Sequence, residues 1–133
     1  MDIEDTVRAY YDTLRRGGSL PPFFLESPDV VKYGLSERLA GYDAVVEGLR
    51  EQTRTTEGWT VESRNLVVGE RDDHGWFSDQ VSLAWTDLDR NVRFEFDTRW
   101  SGTLVRVVAT DETDGPSPWR FAGMHVSTAQ EGL

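Results

Sequence analysis

A carboxylate within an apolar strand is the first candidate for chemistry in this sequence. Asp79 lies in the alternating run Gly75–Asp87, where it shares a face with Phe77 and Val81. A carboxylate among large apolar side chains is unexpected unless it is paired or functional. Apolar surroundings raise the pKa of a carboxylic acid, which suits a general base. A tyrosine could supply the matching donor, and the candidates are Tyr10, Tyr33 and Tyr42. The alternative for Asp79 is a solvated strand-end charge bonded to an arginine.

The next long run combines a second acid with a cation. In Asn91–Thr110, Asp97 and Arg99 share one face, whereas Phe96 and Trp100 share the other. If the polar face lines a pocket, Asp97 is a candidate base and Arg99 would hold an anionic substrate. If the apolar face lines it, the two residues form an exposed cross-strand pair that adds little stability. The sequence leaves both arrangements open.

Metal and cofactor sites are not predicted. The two histidines, His74 and His125, lie in a turn and a strand with no metal-ligand spacing between them. The chain has no cysteine, and it contains no phosphate-binding loop, nucleophile elbow or dinucleotide fingerprint. We therefore expect neither a metal nor a cofactor.

Helices in the first half must help to position these residues. Apolar residues recur at helical spacing over Ile3–Leu14, and Asp2 can cap the first turn. A longer helix is predicted from about Gly41 to Thr53. Between them, Leu20–Leu25 is predicted to form a short helical turn and Asp29–Leu35 a short strand.

The second half is predicted to be a sheet. Four long runs are rich in β-branched and aromatic residues: Trp59–Glu70, Gly75–Asp87, Asn91–Thr110 and Trp119–Ala129. A longer turn is expected at Asp111–Pro118. Helices followed by an antiparallel meander indicate one α+β domain over residues 1–133. Long curved strands with helices on the concave face would make a half-open cone.

Charge and composition exclude several functions. The 133 residues include 24 acidic and 14 basic ones, which gives a formal net charge of −10. Such a surface repels phosphate backbones and anionic lipid, so we expect no nucleic-acid or membrane partner. No apolar run approaches the roughly 20 residues of a membrane span, and the acidic N-terminus does not resemble a signal peptide, so a cytoplasmic location is expected. Thirteen arginines beside one lysine, with the acid excess, suggest a GC-rich, salt-loving (halophilic) host or an acidic protein of a GC-rich mesophile.

Three stretches of the chain carry a family resemblance. They are Gly34–Gln52, Gly75–Trp85 and Trp119–Ser127. Together they resemble SnoaL-like proteins of the nuclear-transport-factor-2-like (NTF2-like) superfamily, in the branch related to the association domain of calmodulin-dependent kinase II. The order of elements matches over nearly the whole chain. The resemblance implies an α+β cone, usually dimeric, with a pocket between the helices and the concave face.

The resemblance also implies roles for individual residues. Ala122, Met124 and Val126 should point into the cone, which puts His125 on the outer face as a structural histidine. The alternative makes His125 a general base in the pocket. Ketosteroid isomerase, of the same superfamily, uses an aspartate base in an apolar cone, so Asp79 with a tyrosine is implied as a comparable pair.

These observations predict a pocket for a hydrophobic, carbonyl-bearing small molecule. The expected catalytic residues are Asp79, Tyr33 and Asp97. The expected binding residues are Tyr10, Trp85, Arg99, Trp100, Met124 and His125. The chain would be a binding protein or a cofactor-free acid/base enzyme of the isomerase or cyclase type, and the alternative is a non-catalytic dimerisation or ligand-sensing module. We expect a homodimer through the outer sheet faces, because Trp119 and Phe121 are predicted to point outward.

Overall fold

The computed structural model describes residues 1–108 and 117–133, and shows two helices packed on a curved sheet. Helix α1 is Ile3–Arg15 and helix α2 is Tyr42–Thr55. Asp2 caps α1, because its side chain accepts the N–H of Asp5 at 2.8 Å and the Asp5 side chain accepts the N–H of Asp2 at 3.2 Å. The predicted turn at Pro21–Phe23 is a 3₁₀ turn. In the described part of the chain, no helix is long and apolar enough to cross a membrane.

Within residues 1–108 and 117–133, seven strands form one sheet. They are β1 Val31–Tyr33, β2 Arg38–Ala40, β3 Thr56–Ser63, β4 Val67–Glu70, β5 His74–Asp87, β6 Val92–Arg106 and β7 Trp119–Thr128. The order across the sheet is β2-β1-β7-β6-β5-β3, and β4 also pairs with β5. The β1–β7 pair is parallel and the other pairs are antiparallel. The predicted α+β cone with a mostly antiparallel sheet is confirmed.

Three predicted strands differ from the structure. The strand predicted over Asn91–Thr110 begins at Val92 and ends at Arg106 as β6. The predicted strand Trp59–Glu70 is divided into β3 and β4 by residues 64–66, and the predicted strand Asp29–Leu35 is the first arm of a hairpin whose second arm is β2. Most of the turn expected at Asp111–Pro118 lies outside the described residues.

A bulge in β7 corrects the predicted orientation of two aromatic residues. Thr103 pairs with Gly123 but Leu104 pairs with Phe121, so Ala122 is an extra residue in β7. The bulge reverses the alternation, and Trp119 and Phe121 are both 0% exposed in the core. Their predicted outward position is wrong, and the homodimer prediction loses the apolar patch on which it rested.

The structure also settles which face of β6 is inside. Thr98, Trp100 and Leu104 are buried, whereas Asp97 and Arg99 are exposed. The apolar face therefore lines the cone, as in the second of the two arrangements that the sequence allows.

Candidate functional site

An open cavity of about 550 Å³ lies between the two helices, the β1–β2 hairpin and the concave side of the sheet. One wall is a group of aromatic rings that we call the aromatic ladder: Trp59, Trp85, Phe94 and Phe96. Trp59 stacks on Trp85 with ring centroids 4.9 Å apart and planes 16° apart. Trp85 also lies 5.5 Å from Phe94 and 5.7 Å from Phe96. The ladder offers a continuous apolar wall to the cavity.

A second bulge, in β3, belongs to the local structure that carries Trp59. Glu57 pairs with Thr86 and Thr60 pairs with Ala84, so Gly58 and Trp59 together oppose one residue of β5. Gly58 has a φ of 66°, in the left-handed region that favours glycine. Its carbonyl accepts a hydrogen bond from Arg93 Nη1 at 2.7 Å. Trp59 is anchored by its own ring nitrogen, which donates to Thr56 Oγ1 at 2.9 Å.

The deep wall of the cavity contains Tyr10 and Trp100. Their ring centroids lie 6.2 Å apart in an edge-to-face arrangement, and Trp100 Nε1 donates to Thr98 Oγ1 at 2.9 Å. Tyr10 is 2% exposed. Burial, and after it the negative charge of Glu37, raise the pKa of Tyr10 well above its ordinary value, so its hydroxyl is a donor at neutral pH.

An ion pair lies at the hairpin side of the cavity. Lys32 is the middle residue of β1 and is 5% exposed, and its Nζ donates to Glu37 Oε1 at 3.1 Å. Both residues line the cavity. At the opposite rim, Arg90 pairs with Asp87 at 3.0 Å and its guanidinium lies 5.1 Å from the centre of the Phe94 ring. The cavity therefore combines aromatic walls with polar groups from the hairpin, from α2 and from the rim. Small-molecule sites typically combine apolar walls with placed polar groups.

Asp79 faces the interior, as the alternation predicts, but it does not line this cavity. Its carboxylate accepts three hydrogen bonds, from Tyr11 at 2.9 Å, Ser63 at 2.6 Å and the backbone N–H of Asn65 at 2.9 Å. The tyrosine donor is thus Tyr11 and not Tyr10, Tyr33 or Tyr42. Burial, followed by the charge and hydrogen bond of Asp79, raises the pKa of Tyr11.

The position of Asp79 explains the division between β3 and β4. The chain leaves the edge of β5 after Arg64, whose N–H still donates to the Gln80 carbonyl at 2.8 Å, and the Asn65 N–H is bonded to the Asp79 side chain instead of to a neighbouring strand. The carboxylate joins α1, the end of β3 and the connecting segment. The carboxylate oxygens accept hydrogen bonds from three protein donors. Asp79 is therefore not available to a ligand in the aromatic cavity.

The other expected site residues separate into two groups. Trp85, Trp100 and Tyr10 line the cavity. Tyr33, Asp97, Arg99 and His125 are exposed, and Met124 is buried in the core without lining the cavity. His125 stacks near Tyr33 with centroids 5.2 Å apart, and Asp97 lies 3.6 Å from Arg64. Within the described residues, no cluster of three or more histidine or acidic side chains could hold a metal ion.

Sequence reasoning missed part of the cavity. Lys32, Glu37, Trp59, Phe94 and Phe96 line it and were not among the expected site residues. The sequence does offer an indication for Lys32: it is the only lysine of the chain, and a cation in a short apolar strand is a candidate for a buried polar site. Trp59 carried a weaker one, since the Gly58-Trp59 pair marks a bulge.

Comparison with known proteins shows the family and the fold. The model of the SnoaL-like domain matches residues 3–131. None of the curated proteins compared with the chain matches it. Among solved structures, an NTF2-like superfamily protein from Salmonella enterica serovar Typhimurium superposes with a TM-score of 0.78 at 14% identity, covering 98% of this chain and 92% of its own.

Two further structures have the same fold. A ketosteroid isomerase-like protein from Erwinia carotovora atroseptica has a TM-score of 0.72 at 17% identity and covers 96% of this chain and 94% of its own. A Xanthomonas campestris protein, provisionally named a calcium/calmodulin-dependent protein kinase II association domain, has a TM-score of 0.72 at 13% identity and covers 97% and 86%. At such identities these likenesses show the fold alone. The family match and the fold together place the chain in the SnoaL-like domain family of the NTF2-like superfamily.

Proposed function

We propose that this protein binds a flat, hydrophobic, carbonyl-bearing small molecule in the cavity between the helices and the aromatic ladder. The observation that carries the proposal is the cavity itself: about 550 Å³, open at one side, and walled by stacked aromatic rings. Pockets for drug-sized ligands typically measure about 300–1,000 Å³ and are mostly apolar with a few placed polar groups.

The shape of the ladder favours a planar ligand. Trp85 is nearly parallel to Trp59 and lies within 31° of both phenylalanine planes. Phe94 and Phe96 are themselves only 12° apart. A fused aromatic ring system can lie against such a wall and exclude water from the contact, which contributes roughly 25 cal/mol for each Å² of apolar area buried.

Ligand binding is better supported than acid/base catalysis, because neither of the two carboxylates expected to be catalytic lines the cavity. Asp79 is bonded to three structural donors outside the cavity, and Asp97 is on the exposed face of β6. Neither carboxylate would reach a ligand on the aromatic ladder. The similarity to a ketosteroid isomerase-like protein supports a ligand cone and leaves the isomerase or cyclase activity as the less favoured alternative, beside a ligand-sensing or dimerisation module.

The test is quenching of tryptophan emission by 2-acetylnaphthalene, a planar aromatic ketone that absorbs where tryptophan emits. We expect saturable quenching at one site per chain, which Trp85→Ala and Phe96→Ala weaken by about tenfold or more, in line with the loss of a buried aromatic contact. Trp76→Ala is the matched control, since Trp76 is an exposed tryptophan of the same strand and does not line the cavity. Absence of saturable quenching, or an equal loss in Trp76→Ala, would refute the proposal.

A further inference from the structure

Three polar side chains line the aromatic cavity where α1 and the hairpin meet it, and we call them the polar corner: Tyr10 of α1 with Lys32 and Glu37 of the hairpin. Lys32 and Glu37 are bonded to each other at 3.1 Å. Tyr10 is close enough to Glu37 to feel its charge. Among the described residues, the Tyr10 hydroxyl has no hydrogen-bond partner, although the residue is 2% exposed and lines the cavity. Because Tyr10 lines the cavity and no described protein group accepts its proton, its hydroxyl can donate a hydrogen bond to a ligand atom there.

Lys32 has donors to spare in the same place. An ammonium group carries three N–H bonds, and within the described residues only Glu37 accepts one of them. The side chain is turned into the cone by the alternation of β1, in which Val31 and Tyr33 are more exposed than Lys32. Two elements therefore aim donors at one part of the cavity: α1 through Tyr10 and β1 through Lys32.

The hairpin is built so that Glu37 can reach Lys32. The Gly34 N–H donates to the Glu37 carbonyl at 3.0 Å, which closes the turn. A Cβ atom at position 34 would lie only 2.9 Å from Glu37 Cγ and Oε1. The absence of a side chain at Gly34 therefore leaves the space in which the Glu37 side chain folds back over the turn.

Charge decides which oxygen this corner accepts. Lys32 and Glu37 neutralise each other, so a ligand carboxylate would bring a second negative charge beside Glu37 without an unpaired cation to receive it. An uncharged carbonyl oxygen accepts hydrogen bonds from Tyr10 and Lys32 at no such cost. The geometry points to the polar corner as an oxygen-binding subsite that selects an uncharged ketone or aldehyde over a carboxylate of the same shape. This inference rests on the proposed function and specifies its substrate class.

The experiment compares three naphthalenes of nearly equal size by titration calorimetry: 2-acetylnaphthalene, 2-naphthoate and 2-ethylnaphthalene. In the wild-type protein we expect the ketone to bind about tenfold more tightly than the hydrocarbon, the effect of one or two net hydrogen bonds. We expect 2-naphthoate to bind no more tightly than the hydrocarbon. Lys32→Met should remove most of the advantage of the ketone.

Glu37→Gln is the second variant, and it keeps the test independent of the folding of Lys32→Met. Loss of the carboxylate leaves Lys32 as an unpaired cation, so the affinity for 2-naphthoate should rise about tenfold or more while the ketone still binds. Arg38→Met is the matched control: it removes a cation from the same hairpin, but Arg38 is exposed, bonds to Tyr33 and does not line the cavity.

The outcomes separate the two proposals. Equal affinities for ketone and hydrocarbon in the wild-type protein, or tightest binding of 2-naphthoate, would overturn the subsite and leave the cavity as a ligand site. A Glu37→Gln variant with unchanged affinity for 2-naphthoate would also overturn it. Failure of all three compounds to bind would overturn the proposed function together with the subsite.

Discussion

At the scale of single residues, the sequence favours Asp79 as a functional residue and not Lys32, whereas in the structure Lys32 lines the cavity and Asp79 does not. Asp79 is the acid in an apolar strand, yet its carboxylate holds α1 and the connection between β3 and β4 through three hydrogen bonds. The sequence alone gives no functional role to Lys32, a cation in a short strand, yet this residue lines the cavity and its ammonium group bonds to Glu37. Burial alone does not distinguish a structural carboxylate from a functional one, because the distinction depends on partners distant in sequence.

Asp79→Asn should lower stability without changing ligand affinity. The amide offers one oxygen in place of two, so at least one of the donors Tyr11, Ser63 and Asn65 loses its acceptor, which costs about 1–3 kcal/mol. Urea unfolding measures the loss, and titration with 2-acetylnaphthalene measures the affinity. Asp97→Asn is the control, since that exposed carboxylate should change stability by no more than about 0.5 kcal/mol. If Asp79→Asn instead keeps its stability and loses affinity for the ketone, the prediction is contradicted and Asp79 belongs to the ligand site.

At the scale of elements, the sequence predicts the helices and the long strands well, because periodicity and capping are local. The capping box of α1 and the strands β5 and β7 lie within one or two residues of their expected bounds. The bulges at Gly58-Trp59 and Ala122 are less predictable, since each depends on how the neighbouring strand is paired. A bulge reverses the alternation beyond it, which explains why strict alternation puts Phe121 on the wrong face of the sheet.

The bulge in β3 should matter for binding beyond its effect on stability. Gly58→Ala forces a side chain into a backbone with φ of 66°, which costs about 1 kcal/mol and disturbs Trp59 on the aromatic ladder. We expect a lower melting temperature and severalfold weaker binding of 2-acetylnaphthalene. Gly17→Ala provides the comparison, because Gly17 has a φ of 68° and open space around its Cβ position but does not line the cavity. If both variants bind the ketone equally well, the bulge at Gly58 does not determine the position of Trp59 on the aromatic ladder.

At the scale of the whole molecule, the family and the cone are accessible from sequence, whereas the cavity is not. The resemblance comes from three stretches, and the family match covers residues 3–131. The cavity, in contrast, is assembled from α1, α2, the β1–β2 hairpin and four strands, so its lining depends on how all of them pack. The residue types of a single strand cannot show that the Lys32–Glu37 pair and the aromatic ladder line the same cavity.

The homodimer expected from the family remains a prediction with a new basis. The outer faces of β5, β6 and β7 carry mostly polar side chains, and an open concavity there is lined by residues that include Gln80, Arg99, Ser101 and His125. Each chain carries a formal charge of −10, so association should strengthen as salt shortens the Debye length from about 10 Å at 0.1 M to about 3 Å at 1 M. Sedimentation equilibrium should detect dimers that are tighter at 1 M. A monomer at both salt concentrations would contradict the prediction.

The central claim is that the cavity beside the aromatic ladder is the ligand site, and a crystal structure of the protein with 2-acetylnaphthalene tests it most directly. The account predicts the naphthalene rings against Trp85 and Phe96, with the ketone oxygen about 2.7–3.2 Å from Lys32 Nζ or the Tyr10 hydroxyl. A ketone bound only at the outer face of the sheet, or an empty cavity in crystals saturated with the ketone, would contradict it.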